Sequence, residues 1–348
     1  MGEPDEDALR RQLLSWYRAR RRDLPFRRTR DPYAILVAEV ILQRTRVAVG
    51  LPYYERFLSA FPTVQDLAAA PESEVLRAWE GLGFYGRARN LHRTAKVIVE
   101  RHGAVMPADI ETLRALPGVG DYTAGAVGSI AFGLRAPAVD GNATRVLARL
   151  YRIEGDMSRG TARQRIRAVA ADLVPVDAPG EWNQAVMELG ATVCLPRRPR
   201  CRGCPVAAEC GAFAAGVQDS IPSGAARAPV PATPVAFVVA RNRGRFLLVR
   251  REKGLHAGMY GLPGGEVRDG ESPKAAVRRH LAALGVRCGA MEPLGPVRHA
   301  FSHLRWEGTA FACAAVGKSS LAEWVSRDRL SRLPVVPVHR RLLDRVRK

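Results

Sequence analysis

The fold is decided by one glycine-rich stretch, LRALPGVGDYTAGA at residues 113–126. Because proline cannot continue a helix and glycine readily adopts positive φ, the stretch predicts a helix, a sharp turn with positive φ at Gly118 and Gly120, and a second helix. Asp121 is the predicted N-cap of the second helix, which we expect to run to about Phe132. Backbone N–H groups at such a helix start attract phosphate. An ordinary helix–turn–helix connection would show the same pattern.

Size and charge limit the class of protein. At 348 residues the chain is longer than one ordinary domain needs, so we expect two domains. Its 54 Lys and Arg residues against 34 Asp and Glu give a net charge of +20, which suits a polyanionic partner. There is no apolar run of membrane-spanning length, and the acidic residues 1–7 are unlike a signal peptide. We therefore expect a cytoplasmic, nucleoid-associated protein without a membrane partner, whose six cysteines bind metal or are buried.

An arginine-rich segment follows the first predicted helix. Residues 7–30 begin as an amphipathic helix and carry seven arginines from position 18 onward, Arg22 and Arg27 among them. Such a segment either faces solvent or binds DNA phosphates.

One acidic residue interrupts an otherwise apolar helix. Asp31 is a predicted N-cap with Pro32 in the first turn, and the helix at 33–43 carries Glu39 as its only charge. An unpaired carboxyl in apolar surroundings holds its proton tightly, so we expect a raised pKa for Glu39. Such an acid suits general acid catalysis near neutral pH. The alternative is a surface glutamate on a helix with one solvated edge.

Two further segments carry a candidate DNA contact and a second carboxyl. Residues 81–90 place Leu82 and Phe84 between glycines, as an apolar wedge that enters a duplex requires; a glycine-capped helix junction gives the same pattern. Asp140 precedes a predicted helix and is a natural cap for it. It also lies twenty positions after Gly120, close enough for the hairpin to hold it near the same ligand.

Four cysteines follow a helix predicted over residues 181–190. Their spacing is C-x6-C-x2-C-x5-C, at Cys194, Cys201, Cys204 and Cys210. Four thiolates within this short span match the usual ligand set of a [4Fe–4S] cluster, and zinc is the alternative metal. Arginines lie between these ligands, so the metal would fix a basic surface. We therefore favour a structural, DNA-facing role over redox catalysis.

The composition changes beyond residue 212. Residues 213–234 are rich in Ala, Gly and Pro and are predicted to form an extended linker. A hairpin pattern and a mixture of strands and helices follow, which indicates an α+β domain. The predicted elements are strands at 235–240, 246–249, 296–299 and 308–315, and helices at 273–284 and from 338. Cys288 and Cys313 lack partners at metal spacing and are predicted to be buried.

The ordered set of motifs is similar to the helix–hairpin–helix DNA glycosylase superfamily of the iron–sulfur type, and within it to the MutY family of adenine DNA glycosylases. The matching runs, besides the four cysteines, are 30–33, 39–43, 81–85, 116–120, 140–142 and 301–303. The resemblance covers nearly the whole chain. It implies a mostly α glycosylase domain at 1–212 with a [4Fe–4S] loop at 194–210, the linker at 213–234, and an α+β Nudix-like domain at 235–348.

The resemblance also implies roles for single residues. Glu39 would protonate the base, Asp140 would stabilise the sugar cation, and Tyr122 would assist near the sugar. Relatives that also cut the strand carry a lysine at the position of Tyr122, so we expect a monofunctional glycosylase. The expected DNA contacts are Arg22, Arg27, Gln43, Arg44, Thr45, Leu82, Phe84, Gly118, Gly120, Asn142, Ser302 and His303.

The Nudix-like half departs from the catalysis of that fold. Gly265 and Glu271 match the start of the Nudix signature, but residues 279–284 lack its magnesium-binding glutamates, so we expect no pyrophosphate hydrolysis. In the MutY family this domain recognises 8-oxoguanine. Ser302 matches the residue that would form the hydrogen bond.

Two positions depart from the family pattern. Arg44 stands where a glutamine usually wedges beside 8-oxoguanine, and Phe84 replaces a more common tyrosine. The resemblance predicts a monomer on double-stranded DNA that hydrolyses the N-glycosidic bond of adenine opposite 8-oxoguanine or guanine. One alternative is a mismatch glycosylase for another base, such as thymine opposite guanine, whose relatives in the superfamily can carry Arg at the position of Arg44. The other is a catalytically silent DNA-damage-binding protein.

Overall fold

The structure, a computed structural model, describes residues 4–157, 159–223, 230–301 and 304–346. It divides into two compact units. Unit 1 comprises Met1–Ala68 with Arg93–Ala226, and unit 2 comprises Ala69–His92 with Arg227–Lys348. The predicted domain boundaries differ from this division because residues 69–92 belong to unit 2. Within the described ranges, no helix combines the length and the apolar character needed to cross a membrane.

Unit 1 is built of helices. In chain order, the helices of the first part of the chain are α1 Glu6–Arg20, α2 Pro32–Leu42, α3 Val47–Ala60, α4 Val64–Ala69, α5 Glu72–Ala78, α6 Gly86–His102, α7 Ile110–Ala115, α8 Asp121–Phe132, α9 Gly141–Leu150, α10 Gly160–Leu173, α11 Pro179–Thr192 and α12 Gly211–Ala214. Of these, α5 lies in unit 2, α6 crosses the division between the units, and the last residue of α4, Ala69, also belongs to unit 2. The mostly helical character predicted for this part is confirmed.

The core of unit 1 forms around α11. This helix packs against α1, α8 and α9. Apolar side chains of α1, α9 and α11, among them Leu13, Leu147 and Leu189, are buried in one cluster, as amphipathic helices that share a core require. Gly190 on α11 allows α9 to approach closely, because an added Cβ would lie 2.7 Å from the Cβ of Asn142. The first turn of α9 therefore lies directly against α11.

The buried helix α2 begins as predicted. The Asp31 side chain accepts a hydrogen bond from the backbone N–H of Tyr33 at 2.9 Å, and Pro32 occupies the first turn. Every residue from Tyr33 to Ile41 is buried. Because α2 is enclosed on all sides, Glu39 lies inside unit 1 and not on a solvated edge.

The glycine hairpin agrees with the prediction except at Gly120. α8 runs over Asp121–Phe132 as expected, and Gly118 turns the chain with φ = +75°. Gly120 has φ = −101°, so the prediction of a second positive φ was wrong. The N-cap of α8 is Gly120 and not Asp121, whose carboxylate instead pairs with arginines of α7 and α10. Arg114 lies in the same hairpin, on α7, whereas Arg167 comes from α10, which the hairpin sequence does not reveal.

A mixed β-sheet forms the centre of unit 2. Its strands are β1 Ala232–Asn242, β2 Arg245–Arg250, β3 Tyr260–Gly261, β4 Gly264–Glu266, β5 Val286–Cys288, β6 Glu292–Ala300, β7 Arg305–Gly317 and β8 Glu323–Val325. The pairing order is β3-β2-β1-β7-β5, with β4 beside β1, β6 beside β7 and β8 beside β2. β1 and β7 are parallel, with Phe237 opposite Ala310, and the other pairs are antiparallel. The helices of this part are α13 Pro273–Ala283, α14 Arg327–Arg332 and α15 Pro337–Val346.

The predicted α+β character of this half is confirmed, and the main strands are longer than expected. β1 begins at Ala232, inside the predicted linker, because its first residues already pair with β7. Arg243 and Gly244 join β1 to β2 with φ of +46° and +75°, as the type I′ turn of a two-residue hairpin requires. Cys313 is buried as predicted, whereas Cys288 is only partly buried.

Candidate active site

A cavity of about 120 Å³ lies within unit 1. Glu39 from α2, Tyr122 from α8 and Asp140 from the start of α9 line it together. Apolar side chains such as Leu42 and Met187 form much of the remaining wall. The structure therefore brings together the three residues that the resemblance singled out as catalytic.

Glu39 is a buried acid with one hydroxyl partner. Its side chain is 6% exposed, and the Tyr122 hydroxyl donates a hydrogen bond to its Oε2. Burial raises the pKa of Glu39 to about 7, against the lowering effect of the Tyr122 hydrogen bond, and the nearby Asp140 adds to the rise. Burial also raises the pKa of Tyr122 well above its usual value, so that hydroxyl stays protonated and can donate. Glu39 can therefore hold a proton near neutral pH inside the cavity.

Asp140 is the second carboxyl, in more polar surroundings. It caps α9 by accepting from the Ala143 N–H at 2.7 Å, and its other oxygen accepts from Nδ2 of Asn142 at 3.0 Å. Burial raises the pKa of Asp140, whereas these hydrogen bonds act in the opposite direction because they favour the charged form. Glu39 thus lies in apolar surroundings, whereas Asp140 accepts several hydrogen bonds. Such a difference lets one carboxyl of a site stay protonated as an acid while the other stays ionised.

Glu188 is a buried carboxylate that the sequence analysis missed. Arg22 donates to both of its oxygens at 2.8 and 2.7 Å, and Arg27 donates at 2.7 Å. Burial disfavours the charged form, but these hydrogen bonds prevail and lower the pKa of Glu188 to about 2. The two arginines line the cavity in ion pairs with Glu188, and their contact with DNA stays a prediction. A carboxyl between apolar neighbours in a helix, the signal that marked Glu39, could have revealed it.

A chain of hydrogen bonds connects Asp140 to the cysteine loop. Asn142 binds Asp140, and Nη2 of Arg145 donates to Oδ1 of Asn142 at 2.9 Å. Nε of Arg145 donates to the carbonyl oxygen of Cys194 at 2.8 Å. Asn142, predicted as a DNA contact, therefore has protein partners on both sides, and the cysteine loop is tied to the wall of the cavity.

Gln43, Arg44 and Thr45 follow the end of α2. Nε2 of Gln43 donates to the Thr123 hydroxyl at 3.1 Å, and Thr45 lines the cavity. Arg44 is exposed and has φ = +59°, a left-handed conformation that costs a non-glycine residue about 1–3 kcal/mol. Such conformations concentrate at functional sites, where the surroundings hold them in place.

Leu82 and Phe84, which lie in unit 2, differ in exposure. Leu82 is only 9% exposed, so it does not present the free wedge expected of it. The local glycine pattern could not reveal this burial. Phe84 is 38% exposed and has φ = +48°. Of the two predicted wedges, Phe84 is the accessible one.

The remaining predicted DNA contacts are the two hairpin glycines and two residues of the C-terminal half. At Gly120, just before α8, an added Cβ would meet nothing within 4 Å, so open space borders the hairpin backbone. Gly118 supplies the positive φ of the turn. Ser302 and His303 lie outside the described residues.

The four cysteines predicted as metal ligands line one small cavity in unit 1. Arg149 also lines it, and its Nη1 donates to Sγ of Cys194 at 3.3 Å. Burial raises the pKa of the Cys204 thiol to about 12. In the part of the chain that the structure describes, no three His, Cys, Asp or Glu side chains are grouped so as to hold a metal ion. That all four cysteines line one cavity is compatible with a larger group ligated by all four.

Each half of the chain matches a known protein family. Residues 37–171 match the family described as HhH-GPD superfamily base excision DNA repair protein, and residues 235–345 match the NUDIX domain. A solved structure of a thermostable thymine-DNA glycosylase is 31% identical, with a TM-score of 0.55, and the match covers 60% of this chain and 97% of that one.

Several similar proteins from different organisms are adenine DNA glycosylases. The adenine DNA glycosylase of Homo sapiens is 49% identical over 214 residues, which cover 59% of this chain and 39% of that protein. The chain thus spans about two fifths of the length of the mammalian relatives that it matches. The adenine DNA glycosylase of Buchnera aphidicola subsp. Acyrthosiphon pisum is 30% identical over 237 residues, which cover 68% of each chain. With this coverage, and with both domain matches in order, the chain belongs to the adenine DNA glycosylase family.

Proposed function

We propose that the protein is a monofunctional base-excision-repair glycosylase that releases adenine mispaired with 8-oxoguanine or guanine. The observation that carries the proposal is the one cavity that Glu39, hydrogen-bonded by Tyr122, shares with Asp140. The relatives, which are named adenine DNA glycosylases, suggest the base. The net charge of +20 suits double-stranded DNA as the partner.

Each carboxyl has its own task in this reaction. Adenine flips out of the duplex into the cavity, at the cost of unstacking. Glu39 gives its proton to the base, and the glycosidic C–N bond breaks with its electron pair leaving on the base. Asp140, as a carboxylate, stabilises the oxocarbenium-like sugar until water adds to the anomeric carbon and passes a proton back to Glu39.

Tyr122 limits the reaction to base release. Its phenol hydroxyl cannot form the Schiff base through which a lysine at this position would lead to strand cleavage. Its hydrogen bond to Glu39 holds the acid in place. The abasic strand therefore stays intact.

The two halves of the chain have different functions, one in excision and the other in recognition of the opposing base. Residues 1–212 carry excision, and residues 235–348 recognise 8-oxoguanine through Ser302 and His303. The open backbone at Gly120 binds a DNA phosphate. The protein acts as a monomer, with the exposed Arg44 and Phe84 entering the duplex.

Thymine opposite guanine is the second candidate substrate. Arg44 takes the place of the glutamine usual in adenine glycosylases, and one similar structure is that of a thymine-DNA glycosylase. A silent binder of damaged DNA is the third candidate, and the three suitably placed groups at the cavity argue against it.

Single-turnover excision on otherwise identical duplexes separates these functions. The duplexes carry A·8-oxoG, A·G, T·G or a hypoxanthine pair. We expect the fastest release from A·8-oxoG. Faster release from T·G assigns thymine, and tight binding without release from any duplex overturns the proposal in favour of the silent binder.

We also propose that Cys194, Cys201, Cys204 and Cys210 hold a [4Fe–4S] cluster. The four cysteines that line one cavity supply the number of thiolates that such a cluster needs, and the hydrogen bond from Arg149 to Sγ of Cys194 is of the kind that tunes such clusters. When bound, the cluster supplies a structural link that fixes a loop rich in arginine.

The metal is tested by spectroscopy, without reference to activity. We expect iron, sulfide and a broad visible absorbance band in the purified protein. The Cys204→Ser variant should lose the band, and the control variant Cys288→Ser, in unit 2, should keep it. Stoichiometric zinc with no visible band would assign the alternative metal.

A further inference from the structure

We infer that unit 2 holds Phe84 ready for contact with DNA, and that Arg340 is the positioning residue that does so. Phe84 lies in the turn formed by residues 79–85, which we call the Phe84 turn. Arg340 lies on α15, about 260 residues later in the chain. The inference rests on the proposed function, because it assigns a device for lesion recognition to that function.

The Phe84 turn has an unusual backbone. Gly81, Gly83 and Phe84 have φ of +100°, +75° and +48°. Two hydrogen bonds close the turn internally: Nε1 of Trp79 donates to the carbonyl oxygen of Gly83 at 3.0 Å, and the Gly81 N–H donates to the Tyr85 hydroxyl at 3.2 Å. A phenylalanine in the left-handed region is strained and persists only where its surroundings hold it. The turn therefore needs external support to keep this shape.

Arg340 supplies support at the start of the turn. Its Nε and Nη2 both donate to the carboxylate of Glu80, the latter at 2.9 Å, in a bidentate pair. Both side chains are largely buried, at 23% and 15% exposed. Nη2 of Arg340 also donates to the carbonyl oxygen of Leu333 at 2.7 Å, which fixes the guanidinium in turn. Glu80, the second residue of the Phe84 turn, is thus held firmly, and the start of the turn is held with it.

Contacts from a second loop of unit 2 support the end of the turn. Nη1 of Arg89 donates to the carbonyl oxygen of Ala257 at 2.7 Å. The ring of Tyr85 packs against that of His256 with centroids 5.9 Å apart. Leu82, inside the turn, is buried. The turn is therefore fixed at both ends and in its middle.

Phe84 is the part of the turn left accessible between these anchors. The residue is 38% exposed, and the guanidinium of Arg87 lies 5.4 Å from the centroid of its ring. An apolar ring that enters a base stack binds more tightly when its backbone is already in the bound shape, because no ordering cost remains to be met. Arg340 therefore contributes to DNA recognition without touching DNA.

A double-mutant cycle tests this role. Dissociation constants for an A·8-oxoG duplex are measured in the Glu39→Gln background, so that substrate is not consumed. We expect Arg340→Ala to weaken binding about tenfold, and to have almost no further effect once Phe84→Ala is present. The control is Arg341→Ala, which removes an exposed arginine from the same helix and should leave binding unchanged.

Two further variants guard against loss of folding. Glu80→Gln keeps the shape of the side chain and should reproduce the loss seen with Arg340→Ala. The reversed pair, Glu80→Arg with Arg340→Glu, should recover most of the affinity. Additive losses from Arg340→Ala and Phe84→Ala, or full affinity in both Arg340→Ala and Glu80→Gln, would overturn the inference. Base release by the wild-type protein is scored separately, so a failure of the proposed function is recognised on its own.

Discussion

Replacing Glu39 with glutamine removes the proposed proton donor and preserves the shape of the cavity. The amide oxygen still accepts from Tyr122, so the site should not collapse. A general acid typically contributes about 10²–10⁴-fold to a rate, and we expect excision to fall by at least this much while duplex binding is retained. In the wild type, excision should fall about tenfold per pH unit above pH 7, because the protonated fraction of Glu39 falls there.

The raised pKa of Glu39 also predicts a change in stability. The rise from 4.5 to about 7 corresponds to about 3 kcal/mol of preference for the protonated form. Between these pH values the folded protein keeps a proton that the unfolded chain has released, so the wild type loses stability as pH rises through this window. Glutamine does not titrate. The variant should therefore gain up to about 3 kcal/mol relative to the wild type between pH 4.5 and 8.

Two measurements check this reasoning. Single-turnover excision of adenine opposite 8-oxoguanine is followed from pH 5 to pH 9, and urea unfolding is followed over the same range. Glu181→Gln, which removes a partly exposed glutamate of α11, is the matched control and should match the wild type in both. A variant Glu39→Gln that excises at the wild-type rate would refute the acid role. A wild-type profile that stays flat through pH 7 would refute the assigned pKa.

Two other substitutions give separate tests. Tyr122→Phe removes the hydrogen bond that lowers the pKa of Glu39, so the alkaline limit of excision should move to higher pH; a move to lower pH would contradict this. Gly125→Ala places a Cβ 2.1 Å from the carbonyl oxygen of Pro137 and should lower the free energy of unfolding, measured in urea, by about 2 kcal/mol. The control is Gly141→Ala, whose added Cβ meets nothing within 4 Å and should cost little. Equal unfolding midpoints for the two variants would argue against tight packing at Gly125.

Features encoded by neighbouring residues could be predicted from the sequence. The cap at Asp31 and the apolar run after it determine α2, because both lie within one helix. The burial of Glu39 also needs the helices that pack around α2, and for this reason a surface glutamate stayed open as an alternative. Gly118 likewise turns the chain with positive φ as expected. The family pattern supplied the grouping of Glu39, Tyr122 and Asp140, which no local rule connects.

Features that depend on distant partners could not be predicted. Glu188 is held by Arg22 and Arg27, which lie 166 and 161 positions earlier in the chain, so nothing in the sequence of α11 reveals the ion pairs. The burial of Leu82 is likewise not apparent from the glycines beside it. The pairing of Asp121 with Arg167 of α10 depends on a residue 46 positions away, and the hairpin sequence does not reveal it.

The attachment of residues 69–92 to unit 2 has a practical consequence for protein engineering. A chimera of two relatives that is joined at the linker would exchange the C-terminal part alone. Glu80 would then face an α15 from the other relative, without its own Arg340. Unit 2 is built from two separate segments of the chain. We therefore expect a chimera to fold and function only when both segments come from the same relative. Glu80 and Arg340 should accordingly change in concert whenever recombination or drift alters either one.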